Sequence, residues 1–95
     1  MKTVTVPDEV RIATQRADIE CSARRDIITH ILEKNIAIPA ECFEAYQKEY
    51  DDKFFAFEQA KQKIEKEYVR PAVANPVSWS LDYNTNVVSI VTMED

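Results

Sequence analysis

The chain has 95 residues, of which 45% are hydrophobic and 31% are charged, and its net charge is −5. This composition is typical of one folded domain and argues against disorder, because disordered chains combine low hydrophobicity with a high net charge. The acidic balance also argues against nucleic-acid binding, which needs a basic patch, and the longest basic run is the pair Arg24–Arg25.

The apolar segments of the chain do not have the pattern of a membrane protein or a secreted protein. Val4 and Val6 alternate with threonines ahead of Pro7, so the first residues lack the apolar core of a signal peptide. No apolar run approaches the roughly 20 residues that span a bilayer. We therefore expect no membrane partner and a cytoplasmic location, or a place in the virion if the protein is encoded by a phage.

Residues 2–6 predict a short strand, because polar and β-branched residues alternate in KTVTV. Pro7 ends this strand, since proline cannot donate a hydrogen bond to a ladder. It also suits the first turn of a helix, where Asp8 and Glu9 complement the helix dipole.

A first helix is predicted over residues 8–34, with two neighbouring apolar stripes. The first stripe contains Val10, Ala13, Ala17, Cys21, Ile28 and Ile31, and the second contains Ile12, Ile19, Ala23 and Ile27. The two stripes together form a wide apolar surface. The small side chains in its middle allow a helix with bulky side chains to approach closely.

Asparagine marks the expected turns, because the chain has no glycine and asparagine is the next choice for a backbone with positive φ. Lys34 and Asn35 accordingly predict the end of the first helix. The expected turn markers are therefore Asn35, Asn75, Asn84 and Asn86.

The longest uninterrupted pattern predicts a second helix over residues 40–69. Its apolar residues recur every three or four positions, at Phe43, Tyr46, Tyr50, Phe54, Phe57, Ala60, Ile64 and Tyr68. We expect this stripe to face the first helix in an antiparallel hairpin that bends near residue 37. Thirty helical residues span about 45 Å, so the molecule should be elongated.

The two cysteines are not expected to form a disulfide. In the hairpin, Cys21 and Cys42 lie roughly 15 Å apart along the axis, which is beyond the reach of a disulfide. We expect both to be small, partly buried core residues.

Residues 77–93 predict a β-hairpin, because Val77, Trp79, Leu81 and Tyr83 alternate with polar residues before the turn segment NTN. A two- or four-residue loop places Trp79 opposite Ile90 and Leu81 opposite Val88. A three-residue loop would instead use the face with Val87 and Val91, and we favour the first register. Residues 2–6 could add the third strand that an isolated hairpin needs.

No residue cluster indicates catalysis or cofactor binding. His30 is the only histidine, and one carboxylate with Cys42 beside it falls short of the four ligands of structural zinc. Cys21 lies about 13 Å from His30 along the helix, and no orienting group or oxyanion hole accompanies Cys42. We therefore expect that the protein is not an enzyme and that it binds no cofactor, no metal and no small-molecule substrate.

The sequence thus predicts an α+β fold of one domain spanning residues 1–95, made of a long helical hairpin and a small antiparallel sheet. The expected function is a non-enzymatic structural or interaction protein that self-associates or serves as a small subunit of a larger assembly, by analogy a phage-like one. The alternative is an acidic inhibitor or regulator that binds a basic site on another protein. The candidate interaction residues are Phe54, Phe55, Phe57, Trp79 and Tyr83, because aromatic side chains need more cover than one helix supplies and often anchor partners.

Overall fold

The computed structural model describes residues 1–93 and has the predicted α+β architecture. Strand β1 (Lys2–Thr5) is followed by helix α1 (Asp8–Glu33) and helix α2 (Ala40–Ile64), which a π-helical turn (Glu65–Val69) extends. Strands β2 (Pro76–Asp82) and β3 (Val87–Thr92) complete the fold. Each predicted element is present within one or two residues of its predicted bounds, apart from the change of helix type after Ile64.

The three strands form one antiparallel sheet in the order β1-β3-β2, so β1 does supply the third strand. Trp79 lies opposite Ile90 and Leu81 opposite Val88, which confirms the favoured register and excludes the three-residue loop. This register places Trp79 and Leu81 of β2 on the same face of the sheet as Val88 and Ile90 of β3. That face covers the open end of the helical hairpin.

The hydrophobic core is small and lies where the sheet meets the open end of the hairpin. It consists of Val6, Val10, Ile64, Val69, Val88 and Ile90. Half-buried side chains, among them Trp79, Leu81 and Tyr68, pack around it. The core therefore joins every element of the fold at one end of the molecule.

The π-helical turn explains how α2 contributes two buried residues to this core. Ile64 and Val69 are five positions apart, and in an α-helix they would point in directions about 140° apart. The Arg70 N–H instead donates to the Glu65 carbonyl oxygen at 2.9 Å, the i→i+5 bond of a π-turn. This wider turn brings Val69 toward the side of Ile64, and both are fully buried.

Asn35, Asn84 and Asn86 lie in turns, as predicted, and Asn75 lies in a bend just before β2. Asn35 has φ of 50° and Asn86 has φ of 62°, whereas Asn75 and Asn84 do not have positive φ. At the end of α1 the Ile36 N–H donates to the Ile31 carbonyl oxygen at 3.1 Å, the 6→1 bond of a Schellman motif. The Asn84 N–H is satisfied by the Asp82 carboxylate at 2.8 Å, so this turn needs no left-handed residue there.

Both cysteines are free, as expected, but only one is buried. Cys21 lies on the side of α1 that contacts α2. Cys42 is exposed, which contradicts its predicted place in the core. It lies in the first turn of α2, at the end of the hairpin far from the sheet, where no third element covers the helices.

Candidate interaction surface

The distal part of the hairpin is the least covered part of the molecule. The distal part of the hairpin falls within residues 22–63, and every residue of this described stretch is at least partly exposed, although the stretch contains most of the aromatic and isoleucine side chains. The molecule measures 49 × 28 × 21 Å, and its radius of gyration of 16.7 Å exceeds the value of about 12 Å for a compact domain of this length. Two helices alone thus leave apolar surface in contact with water.

Ion pairs across the hairpin show which residues of the two helices lie side by side. The Lys53 ammonium is 2.8 Å from the Glu20 carboxylate, and the Arg24 guanidinium is 3.8 Å from the Glu49 carboxylate. The hydrogen bond and the charge of Lys53 lower the pKa of Glu20, and the more distant Arg24 and Arg16 add to this effect. These contacts place residue 53 beside residue 20, close to the predicted alignment.

The aromatic stripe of α2 faces α1 only in part, which corrects the predicted orientation. Phe43, Tyr50 and Phe57 are half-buried, whereas Tyr46 and Phe54 are exposed. The rings of Tyr50 and Phe54 contact each other with centroids 5.9 Å apart. The stripe therefore runs along the flank of the hairpin, with one edge against α1 and the other in water.

Phe55 lies on the outer side of α2, away from α1. It follows Lys53, which faces α1, by two residues, and this turns its side chain about 200° around the helix. Its side chain is 63% exposed, and the acids Asp51, Asp52 and Glu58 occupy the positions one turn away. We call this group of four residues the Phe55 face.

The second apolar stripe of α1 points away from α2, although the sequence suggested that it adjoins the buried stripe. Ile12 lies nine residues before the buried Cys21, and this separation corresponds to about 180° around an α-helix. Ile12, Ile19, Ala23 and Ile27 are all exposed, and Ile19 is 61% exposed. We call these four residues the outer face of α1.

Three of the five predicted interaction residues line one groove between α2 and strand β2. Phe57, Trp79 and Tyr83 border this groove, which has a volume of about 570 Å³. The Lys61 ammonium lies 4.7 Å from the centroid of the Phe57 ring, a cation–π contact. Phe54 and Phe55 lie outside the groove, so the five residues do not form a single surface.

Tyr83 has a structural role at the rim of the groove. Its hydroxyl donates a hydrogen bond of 2.8 Å to the Asp18 carboxylate, which ties the β2–β3 turn to α1. Burial raises the pKa of Tyr83 well above its usual value, and the hydrogen bond and charge of Asp18 raise it further. Both effects favour the protonated phenol.

Replacing Tyr83 with Phe is expected to lower the free energy of unfolding by about 1 kcal/mol at pH 7, the value of one hydrogen bond. The raised pKa also means that the unfolded chain loses the phenol proton first, so the Tyr83 contribution is complete below pH of about 10 and falls as the pH rises further. The wild type should therefore lose more stability than Tyr83→Phe in urea unfolding above that pH. Tyr46→Phe, which removes an exposed hydroxyl, should match the wild type at each pH.

The outer face of α1 is the set of surface residues that sequence reasoning placed wrongly. The helical spacing of this stripe is evident in the sequence, but the angle between the two stripes around the helix determines whether one neighbour can cover both. Ile12 and Ile19 are separated from the Cys21 stripe by about half a turn, so one helix neighbour cannot cover both stripes. Which stripe is left uncovered depends on the rotation of α1, which the buried position of Cys21 shows.

The remaining candidate groups do not assemble into a site in the described part of the chain. Among residues 1–93 no three His, Cys, Asp or Glu side chains are grouped as metal ligands would be. His30 borders a shallow surface hollow with Ile27, Ile31 and Tyr46 on the distal hairpin. None of the helices within these residues has the length and apolar character needed to cross a membrane.

Comparisons with known proteins give no functional assignment. No model of a protein family, no curated protein and no solved structure matches the chain.

Proposed function

We propose that this protein is a non-enzymatic subunit that self-associates through the helical hairpin. The observation that carries the proposal is the stretch 22–63, in which apolar side chains recur along both helices and every residue is partly exposed. A soluble monomer rarely leaves large contiguous apolar patches in water, and such patches usually mark interaction sites. Association of hairpins would bury these side chains in the way that a larger helical bundle does.

The distribution of buried residues supports different roles for the two ends of the molecule, with folding at the sheet end and association along the exposed hairpin. The core at the sheet end contains Val88, Ile90 and Ile64 and holds each chain in its fold. The distal hairpin has no comparable core among residues 22–63, yet it accounts for much of the 49 Å length. A rod whose exposed helical flanks are covered by neighbouring copies fits a small building block of a larger assembly, of which a phage-like particle is one example.

Amide hydrogen exchange at several protein concentrations tests this proposal residue by residue. At micromolar concentration and below, amides in residues 22–63 should exchange quickly, because local opening there exposes little buried surface. At high concentration the same amides should become protected by mass action, whereas those of Val88 and Ile90 should not change. Exchange in residues 22–63 that is independent of concentration would contradict self-association.

A second function is favoured by the Phe55 face. The Glu58 carboxylate is 2.7 Å from the Lys61 ammonium, so Asp51 and Asp52 supply the negative charge of this face. An exposed aromatic ring beside two carboxylates is a suitable anchor for a basic surface, because the ring supplies apolar contact and the acids steer the encounter. The protein would then be an acidic regulator of another protein. In that case it should be a monomer at all concentrations, and its complex should weaken steeply with added salt.

A further inference from the structure

We infer that the Phe55 face of one copy docks on the outer face of α1 of a second copy, in a head-to-tail contact that repeats along the assembly. This inference rests on the proposed function, because it assigns the surfaces through which the subunit self-associates. The two faces lie on opposite outer sides of the same hairpin. Each copy can therefore contact two neighbours at once.

Ile12 and Ile19 of the outer face of α1 border, together with residues between them, a hole of the kind that receives a side chain in helix packing. Ile12, Gln15, Arg16 and Ile19 occupy positions i, i+3, i+4 and i+7, the four residues that surround one knob in knobs-into-holes packing. They line, with Glu20, a surface hollow of roughly 330 Å³. The hollow is apolar at both ends, where Ile12 and Ile19 stand.

Phe55 has the properties of the matching knob. It is a single large apolar side chain on an otherwise polar face of α2, with 63% of its surface exposed. A ring that enters the hollow would cover Ile12 and Ile19 and would itself leave water. One contact would thus remove exposed apolar surface from both faces.

The charges around the knob and the hole are complementary. Asp51 and Asp52 precede Phe55 by one turn, so in the antiparallel contact they lie about 4–5 Å along the axis from Arg16, which is part of the hole. Glu20 also borders the hole, but the Lys53 ammonium of its own chain is 2.8 Å from its carboxylate and offsets its charge. Contact between two Phe55 faces would instead bring carboxylates together, so charge favours the head-to-tail arrangement.

The two faces also lie at nearly the same height along the hairpin. Because Lys53 is beside Glu20, Phe55 is level with residue 18 of the antiparallel helix. The centre of the hole, between Gln15 and Arg16, is only about 4 Å farther along α1. Successive copies can therefore stand side by side, and such a contact closes into a ring or continues as a filament, depending on its rotation.

Two surface variants should each block one side of the contact. Phe55→Glu removes the knob but keeps the hole, and Ile19→Glu removes the hole but keeps the knob. Each variant alone should be a monomer by light scattering, and an equimolar mixture should form a dimer and nothing larger. Gln47→Glu and Thr29→Glu add the same charge at exposed positions on α2 and α1 outside the two faces, and both should retain the wild-type mass.

Other results would overturn the inference and leave the proposed function standing. If the wild type is a multimer and Phe55→Glu keeps its mass, the copies associate through other surfaces, such as two outer faces of α1. A mixture of the two variants that stays monomeric would likewise exclude the head-to-tail contact. A monomeric wild type would instead overturn the proposed function, so the two failures are distinguishable.

A charge exchange provides a second test that leaves the apolar residues in place. Arg16→Asp should weaken association about two- to fivefold, since it is one exposed charge contact, and Asp52→Arg should do the same. The chain that carries both changes should recover the wild-type affinity, because the two exchanged charges again have opposite signs across the contact. Additive weakening in the double variant would contradict the proposed contact, and circular dichroism would verify that all variants are folded.

Discussion

Replacing Ile64 with Ala is expected to destabilise the protein by about 2–5 kcal/mol, the usual cost of a large cavity in a core. Ile64 is fully buried where α2 meets the sheet, in a core that has six buried side chains among residues 1–93. A small domain has little stability to lose, typically about 5–10 kcal/mol, so this variant should be close to unfolding at 37 °C. Urea unfolding followed by circular dichroism measures the change.

The matched control is Leu32→Ala, at the distal end of α1. Leu32 is 61% exposed, so removing it leaves no cavity and should cost less than about 1 kcal/mol when the protein is dilute. Equal losses for the two variants under dilute conditions would show that the distal hairpin packs within one chain. That result would remove the main support for self-association.

Replacing Asn86 with Ala is expected to destabilise the protein by about 2–4 kcal/mol, although the residue lies in a turn. Its backbone has φ of 62°, which alanine adopts at a cost of about 1–2 kcal/mol. Its side-chain oxygen accepts a hydrogen bond of 2.9 Å from Arg11 Nε, and its amide donates to the Asp8 carboxylate. The substitution thus removes two contacts with the start of α1 as well as imposing backbone strain.

Two further variants separate these causes. Asn86→Gly keeps the positive φ without strain but loses both side-chain hydrogen bonds, so it should be less destabilising than Asn86→Ala by about 1 kcal/mol or more. Asn84→Ala should have little effect, because Asn84 does not have positive φ and uses its backbone N–H to bond Asp82. Equal stabilities for the Ala and Gly variants at position 86 would indicate that the backbone conformation contributes nothing.

The parts of the fold that the sequence predicts are those governed by local periodicity. The stripe through Tyr50 and Phe57 has the spacing of a helix, and the alternation through Trp79 and Leu81 has that of a strand. The register of the β-hairpin could also be predicted, because only one pairing keeps Leu81 and Val88 on the same buried face. These features depend on neighbours close in sequence.

The features that escaped prediction depend on contacts between distant parts of the chain. The π-turn after Ile64 exists because Val69 packs in the core with Val88 and Ile90, and no local signal in EKEYV marks it. Asn86 has positive φ whereas Asn84 does not, although both lie in the same turn. What distinguishes Asn86 is its contact with Arg11, 75 residues away.

The candidate interaction surface was predictable only in part, because it too depends on contacts between distant parts of the chain. An aromatic surplus on α2 indicates that something more than α1 must cover it, and Phe55 is exposed as that reasoning requires. The pattern does not say which aromatic residues the sheet reaches, and Phe57, Trp79 and Tyr83 border the groove beside it. The outward direction of Ile12 and Ile19 became clear once the buried position of Cys21 fixed the rotation of α1.

The most direct test of the central claim is the mass of the wild-type protein in solution, measured by light scattering during size-exclusion chromatography at low and high salt. Self-association through apolar side chains predicts a mass above that of the 11.0 kDa chain at both salt concentrations. A mass of one chain under both conditions, at concentrations up to the millimolar range, would contradict the claim. It would favour the acidic Phe55 face as the binding site for a basic partner.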